Sequence, residues 1–255
     1  MSDLFIGFRM LLTKEVLRFW RVAFQTLTAP IISALLYQLI FAHAMKNHPQ
    51  PYPGVSFVAF LIPGLAMMSM AQNAFANTSS SLIQSKITGN LVFVLLPPIS
   101  SVSFFLAYIG AAVIRGLLVG MGVLLVTAFF GLTFPVAPLW ALAFAVLACI
   151  VMGTFGLIAG IWAEKFDQLA LFQNFLIMPL TFLSGVFYSI QTLPDFWRTV
   201  SHFNPIFYMV DGFRFGFFGH SDVSVWLSFA VVAGFSLLLS IWACYLLKTG
   251  YKLRD

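Results

Sequence analysis

The chain has 255 residues, of which 61% are hydrophobic and 8% charged, with a net charge of +5. A soluble domain carries roughly 25% charged residues, so this composition excludes water as the solvent for most of the surface. The few cations sit at the ends of apolar runs, where they orient membrane segments, and nucleic acid is not expected as a partner.

One helical crossing of a bilayer needs about 20 apolar residues, so the length holds six or seven spans and leaves no room for a separate soluble domain. Residues 1–22 form no span. Leu4, Phe5, Phe8, Leu11, Leu12, Val16 and Phe19 recur at helical spacing, and Lys14, Arg18 and Arg21 fall on another face. This pattern predicts an amphipathic helix lying at the membrane interface. The first span is expected over 24–45, with Pro30 in its early turns, where proline is tolerated. It follows a basic stretch and is long enough to cross, unlike a cleaved leader. A proline-rich loop separates it from a second span over 55–76.

Residues 77–100 open with a polar run, Asn77 to Lys86, continue through apolar Leu91 to Leu96, and close on Pro97 and Pro98. The segment is too short and interrupted to cross, so a helix parallel to the interface is expected. The third span is expected over 102–130, the fourth over 139–163 and the fifth over 169–188. Residues 189–222 mix aromatics with prolines and charges and read as short helices dipping into the interface. The sixth span is expected over 224–247. The fold class is therefore an all-α membrane protein of six spans in a single domain, 1–255.

With the N-terminus inside, nine cations fall inside (Arg9, Lys14, Arg18, Arg21, Lys86, Lys165, Lys248, Lys252, Arg254) and three outside (Lys46, Arg198, Arg214). This bias places both termini in the cytoplasm. Cys149 and Cys244 lie in apolar runs and read as small buried residues, not as a disulfide. No nucleotide-binding loop of the form G-x-x-x-x-G-K-[ST] surrounds any lysine, and no catalytic motif appears. The chain is not expected to be an enzyme. His43, His48, His202 and His220 lack metal-ligand spacing, so no metal site is expected.

Arg115 is the costliest residue, because a charge deep in a span is unfavourable by at least about 2.5 kcal/mol. Gln72, Asn73 and Asn77 in and after the second span, or Glu164 and Asp167, are its candidate partners, and it either locks helices together or serves transport. Pro179 lies inside the fifth span, followed by Ser184 and Gly185, and predicts a kink suited to a gate. The aromatics from Phe182 to Phe218 form an interfacial belt or a greasy exit surface.

These residues together resemble a family. Pro179, Ser184-Gly185, Leu193-Pro194, Asn204-Pro205 and Arg214 match in order the C-terminal signature of the type-2 ABC exporter permeases. Ile62-Pro63-Gly64, Thr88-Gly89-Asn90-Leu91, Pro98-Ile99-Ser100 and Arg115-Gly116 fit the same pattern. The chain most resembles the bacterial single-domain permeases of the cytoplasmic (inner) membrane. The resemblance implies a permease dimer, most simply a homodimer, served by two copies of a separate ABC ATPase. ATP and Mg then sit on the partner, and this chain binds no cofactor. It also implies export of an amphipathic drug, lipid or polysaccharide-type substrate by alternating access.

Lys86, Gly89, Asn90 and Leu91 become the expected coupling residues, and charge reversal at Lys86 is expected to uncouple ATP hydrolysis without harming the fold. Pro179, Ser184, Gly185, Pro194, Asn204, Pro205 and Arg214 become the expected gate and re-entrant residues, and Arg115, Gln72 and Asn73 the intramembrane polar set. Relatives place an acidic residue just after the Gly-x-Leu of the coupling segment. Val92 and Phe93 stand there in this chain, so its ATPase contact is expected to be more apolar. A gradient-driven transporter would usually carry carboxylates within its spans, and an inert anchor would need neither Arg115 nor a kinked fifth span.

Overall fold

The computed structural model describes residues 2–44, 50–97, 99–131 and 134–253. Lys46, His48, Pro98 and Arg254, used in the readings above, lie outside them. The described residues form eleven α-helices: α1 (Ser2–Trp20), α2 (Ala23–Ala44), α3 (Phe57–Ile87), α4 (Leu91–Leu95), α5 (Ser101–Thr127), α6 (Pro138–Trp162), α7 (Phe166–Phe172), α8 (Met178–Phe182), α9 (Asp195–His202), α10 (Pro205–Phe218) and α11 (Val225–Thr249). Five segments are long and apolar enough to cross a membrane: Ala23–Phe41, Phe57–Ile87, Ser101–Phe130, Pro138–Trp162 and Val225–Thr249. The expected fifth span is instead a broken helix. It runs as α7, a π turn (Gln173–Ile177) and α8, and ends at Phe182 rather than Tyr188.

The bundle is built around α3 and α6. Small residues let the two backbones meet: a Cβ at Gly156 would lie 2.3 Å from the Phe75 carbonyl oxygen. In lipid, where no hydrophobic force separates helix from solvent, such close packing is what holds helices together. α5 flanks this pair, α10 and α11 cover α6, and α2 lies outermost against α3 and α5. Cations gather at one end of the bundle, the basic end, where α3, α6 and α11 finish. The opposite end is called the far end.

Two boundaries differ from expectation. The second span does not stop at Ala76, because α3 continues through the polar run to Ile87. Its 31 residues extend about 46 Å at 1.5 Å per residue, well beyond the hydrocarbon thickness of about 30 Å. Three of the hydroxyls bond within the helix, Ser79 to the Phe75 carbonyl, Ser80 to Ala76 and Ser85 to Ser81, while Thr78 donates across to the Gly153 carbonyl of α6 at 2.7 Å. Back-bonding of this kind makes a serine run compatible with a buried helix.

The other difference is α1. It forms as a helix, yet its inner face packs on α5, where Leu12 touches Gly110 and Ile99 touches Gly7. Leu11, Glu15 and Phe19 are buried. Arg18, expected on the polar face, turns inward: it donates to Glu15, to the Asn77 backbone and side-chain oxygens, and to Ser80. Ile6, Met10, Leu17 and Trp20 remain exposed beside Arg9 and Arg21.

Candidate functional site

Three groups of residues stand out, one at each end of the bundle and one between them. At the basic end, α3 closes at Gly89, whose φ of +71° reverses the chain into α4. Asn90 precedes α4 without a side-chain cap. Leu91 is buried and anchors the helix, while Val92, Phe93 and Leu96 are exposed, Phe93 by 73%. A five-residue helix cannot hold itself together, so Leu91 and the two flanking turns position it. Lys86 lines a cavity with Gly89, Leu91 and Val92 and reaches the end of α6. Its ammonium donates to the Ile161 and Ala163 carbonyls, closing the C-terminal end of α6, where a cation also suits the helix dipole. Reversing its charge therefore acts on the α3–α6 junction as well as on anything that docks nearby.

Between the ends, Arg115 on α5 reaches α3. Its terminal nitrogen donates to Asn73 Oδ1 at 3.0 Å, and Asn73 Nδ2 in turn donates to the Ser69 carbonyl. The Arg115 Nε is buried without a partner. Among the described residues no carboxylate lies within ion-pair distance of it. Gln72 and Asn73 line the same cleft of about 400 Å³, with Gln25 and Ser33 of α2 and Gln173 of the π turn. Of the partners expected for Arg115, the structure selects Asn73. Asn77 belongs to Arg18 instead, and Glu164 pairs with Lys252.

The π turn has a local cause. Pro179 has no N–H to offer the Phe175 carbonyl, and its ring crowds that position. The helix widens just before it, with the Met178 N–H reaching back five residues to the Gln173 carbonyl. Widening of this kind is frequent at functional sites.

At the far end, α8 stops in a tight turn over Leu183 to Ser189. Gly185 holds a φ of +77°, which an L side chain rarely adopts, and Ser184 donates to the Thr181 carbonyl. Asn204 caps α10 by accepting from the Ile206 N–H, and its amide donates to the Leu180 carbonyl at 2.6 Å. Pro205 takes the first helical position of α10, where its missing N–H costs nothing. Pro194 stands apart, before the exposed α9.

Arg214 is 2% exposed. Its guanidinium lies 3.6 Å from the centre of the Phe60 ring and donates to the Val186 carbonyl at 2.6 Å. Gly64 makes the space: a Cβ there would meet the Val186 oxygen at 2.7 Å and the arginine at 2.8 Å. Asp211, one turn earlier on α10, accepts from the Asp222 and Val223 N–H groups and from the Ser228 hydroxyl. Asp222 accepts from Ser189 and the Ile190 N–H. These contacts lock α10, the turn after α8 and the start of α11 into one body. Five of the seven expected gate residues (Ser184, Gly185, Asn204, Pro205 and Arg214) thus meet around the ends of α8 and α10.

Glu15, Asp211 and Asp222 were not singled out from the sequence, and Arg18 was read only as a cation on the polar face of the interfacial helix. A three-residue spacing of Glu15 and Arg18, and an acid set in the aromatic run around Asp211, were the available signals.

The sequence profile of the ABC-2 type transporter family matches residues 7–218. The inner membrane transport permease YadH of Escherichia coli (strain K12) is 37% identical over 251 residues, 98% of each chain. Nodulation protein J of Rhizobium leguminosarum bv. trifolii is 26% identical over 173 residues, covering 68% of this chain and 66% of its own. Nodulation protein J of Rhizobium meliloti (strain 1021) is 22% identical over 202 residues, 79% of this chain and 77% of its own. The match extends from α1 to the end of α10 and so takes in all three groups of residues described above. The chain belongs to the ABC-2 type transporter family and is a membrane permease of that class.

Proposed function

We propose that this chain is the membrane subunit of an ATP-driven exporter in the bacterial inner membrane, working as a dimer with two copies of a separate ATPase. The observation that carries the reading is α4, a short apolar helix held rigidly at the basic end with Val92, Phe93 and Leu96 facing outward. An exposed apolar cluster on a rigid stem suits docking to another protein. The excess of cations at that end supports a cytoplasmic orientation. α4 and its flanking residues Gly89, Asn90 and Leu91 are then the element through which the ATPase acts. Counting α7 to α8 as the fifth crossing makes six, with both termini in the cytoplasm.

The two least covered crossings are α2 and α7 to α8, with Ile32, Leu36, Leu171, Phe175 and Phe182 exposed. A second copy covering these faces places the seam of the dimer along them. The broken helix is the mobile member of that seam, with Pro179 and the π turn as its hinge. Alternating access then moves an amphipathic substrate outward along the seam, toward the aromatic cluster of Tyr37, Phe41, Phe182 and Phe187, in which the Phe187 ring centre lies 4.8–5.8 Å from the other three.

The test is purification of the tagged chain in mild detergent from its native host. A stoichiometric partner with a nucleotide-binding loop, lost in Phe93→Asp while the permease still purifies as a folded dimer, supports the reading. A folded permease with no ATPase partner, also after crosslinking in cells, overturns it.

A further inference from the structure

Arg115 and Arg214 each make one hydrogen bond and bury an unpaired Nε, but only Arg115 faces an open cleft lined by polar side chains, whereas Arg214 is closed against the Phe60 ring. The cleft lies between α2, α3, α5 and the π turn, within the crossing segments, and is polar where lipid or protein would favour apolar walls. Its lining holds one cation and no acid. Arg115 has five N–H donors, of which one bond to Asn73 is made, and its Nε is sealed from solvent unpaired. The amides of Gln25, Gln72 and Gln173, which share the cleft, make no hydrogen bond among the described residues. A cation held in an apolar slab without a counter-ion is unfavourable, and the described residues supply none. What would complete the site is an anion.

We propose that this cleft binds the acidic group, phosphate or carboxylate, of the amphipathic molecule that the permease carries, with Arg115 as the charge partner and Gln72, Asn73 and Gln173 as neutral donors. The inference rests on the transport reading above and names the substrate class within it. The cleft volume of about 400 Å³ lies in the range of small-molecule sites, roughly 300–1,000 Å³, and is large enough for a headgroup. The apolar flank of α2 beside it, Ile32 and Leu36, lies on the seam along which the substrate is proposed to move and offers a surface for a hydrocarbon tail. Arginine suits the task because its planar fork grips both oxygens of an oxyanion. Gln173 is the first residue of the π turn, so the widening that Pro179 imposes is also what presents this amide to the cleft. Straightening that turn would withdraw a ligand contact, which couples the shape of the broken helix to occupancy of the site.

The experiment is a binding titration on the full-length protein in a neutral maltoside detergent, with dodecyl phosphate as the probe. Inorganic phosphate and a zwitterionic alkyl phosphocholine of equal tail length are the comparisons. The expected result is at least tenfold preference for dodecyl phosphate over the phosphocholine, lost in Arg115→Gln and partly kept in Arg115→Lys. Gln173→Glu, which places a carboxylate opposite Arg115, should remove binding at least as fully. It also decides the matter if Arg115→Gln does not fold.

Competition by inorganic phosphate at equal concentration assigns the site to free anions, and a requirement for the tail assigns it to an anionic amphiphile. Either supports an oxyanion site. Equal affinity for the anionic and zwitterionic probes, or unchanged binding in Gln173→Glu, overturns it. Because the titration needs neither ATP nor the ATPase, its failure leaves the transport reading standing, and failure of the co-purification leaves the anion site standing.

Discussion

Two arginines sit inside the same bundle under opposite arrangements. Arg214 is enclosed: an aromatic face lies on one side, a carbonyl accepts from its end, and Asp211 and Asp222 stabilise the surrounding loop. Arg115 is half-buried, with one amide partner and an open cleft before it. The first arrangement is how a fold turns a charge into a fastener. The second leaves the charge unfinished, which serves a fastener poorly and a binding site well. Each arginine makes one hydrogen bond and leaves its Nε buried and unpaired, so the difference lies in the surroundings: a ring face fills the space around Arg214, and an open polar cleft lies before Arg115.

The strongest test of the difference is Arg214→Ala. It leaves a large void and orphans the Val186 carbonyl, and the expected loss is about 3–5 kcal/mol, read as reversible unfolding in detergent. Gly64→Val attacks the same body from α3, forcing a methyl into the Val186 oxygen and the guanidinium, at an expected cost of about 1–3 kcal/mol. Asp211→Asn keeps one acceptor oxygen of two and should cost about 1–2 kcal/mol.

Arg115→Gln is expected to differ in kind. It removes one hydrogen bond but also the burial of a charge, so stability should stay within about 1 kcal/mol of the parent while transport is lost. If instead it unfolds the protein as badly as Arg214→Ala does, the two arginines are alike and the contrast collapses.

The smallest effect is expected at Glu164 on the basic end. The Lys252 ammonium beside it holds its carboxyl below the ordinary carboxylate range. Its contribution is therefore present above that range and fades as the pH falls through the lowered value. The group is fully exposed and screened, so the melting temperature of Glu164→Gln should match the parent at pH 7. Only the shallow acid dependence should disappear.

How much of this was legible beforehand varies residue by residue. Arg115 was readable because a charge in an apolar run has few places to go, and Asn73 was among the partners that helical spacing allowed. Asn204-Pro205 read as a signature, and the structure adds why: one residue caps α10 and reaches α8, and the next starts the helix. The continuation of α3 to Ile87 was not readable. A run of serines looks like surface until their hydroxyls are seen bonded to the carbonyls one turn back. Lys86 read as a coupling charge, yet its contacts are 75 and 77 residues away on α6. Glu15 was passed over as one more charge on an interfacial helix, though it is wholly buried.

The sequence alone determined that the chain lives in lipid as helices, which ends are basic, where proline breaks the helix before Phe182 and which family it joins. Each of these follows from local composition or from order along the chain. Only the tertiary structure decided that α1 packs inward, that α10 is a buried helix fastened by Arg214, and that Gln72, Asn73, Gln173 and Arg115 line one cleft. Those outcomes depend on contacts between residues dozens of positions apart. Their energies are set by which partner each buried polar group finds, and no period or motif in the chain encodes that choice.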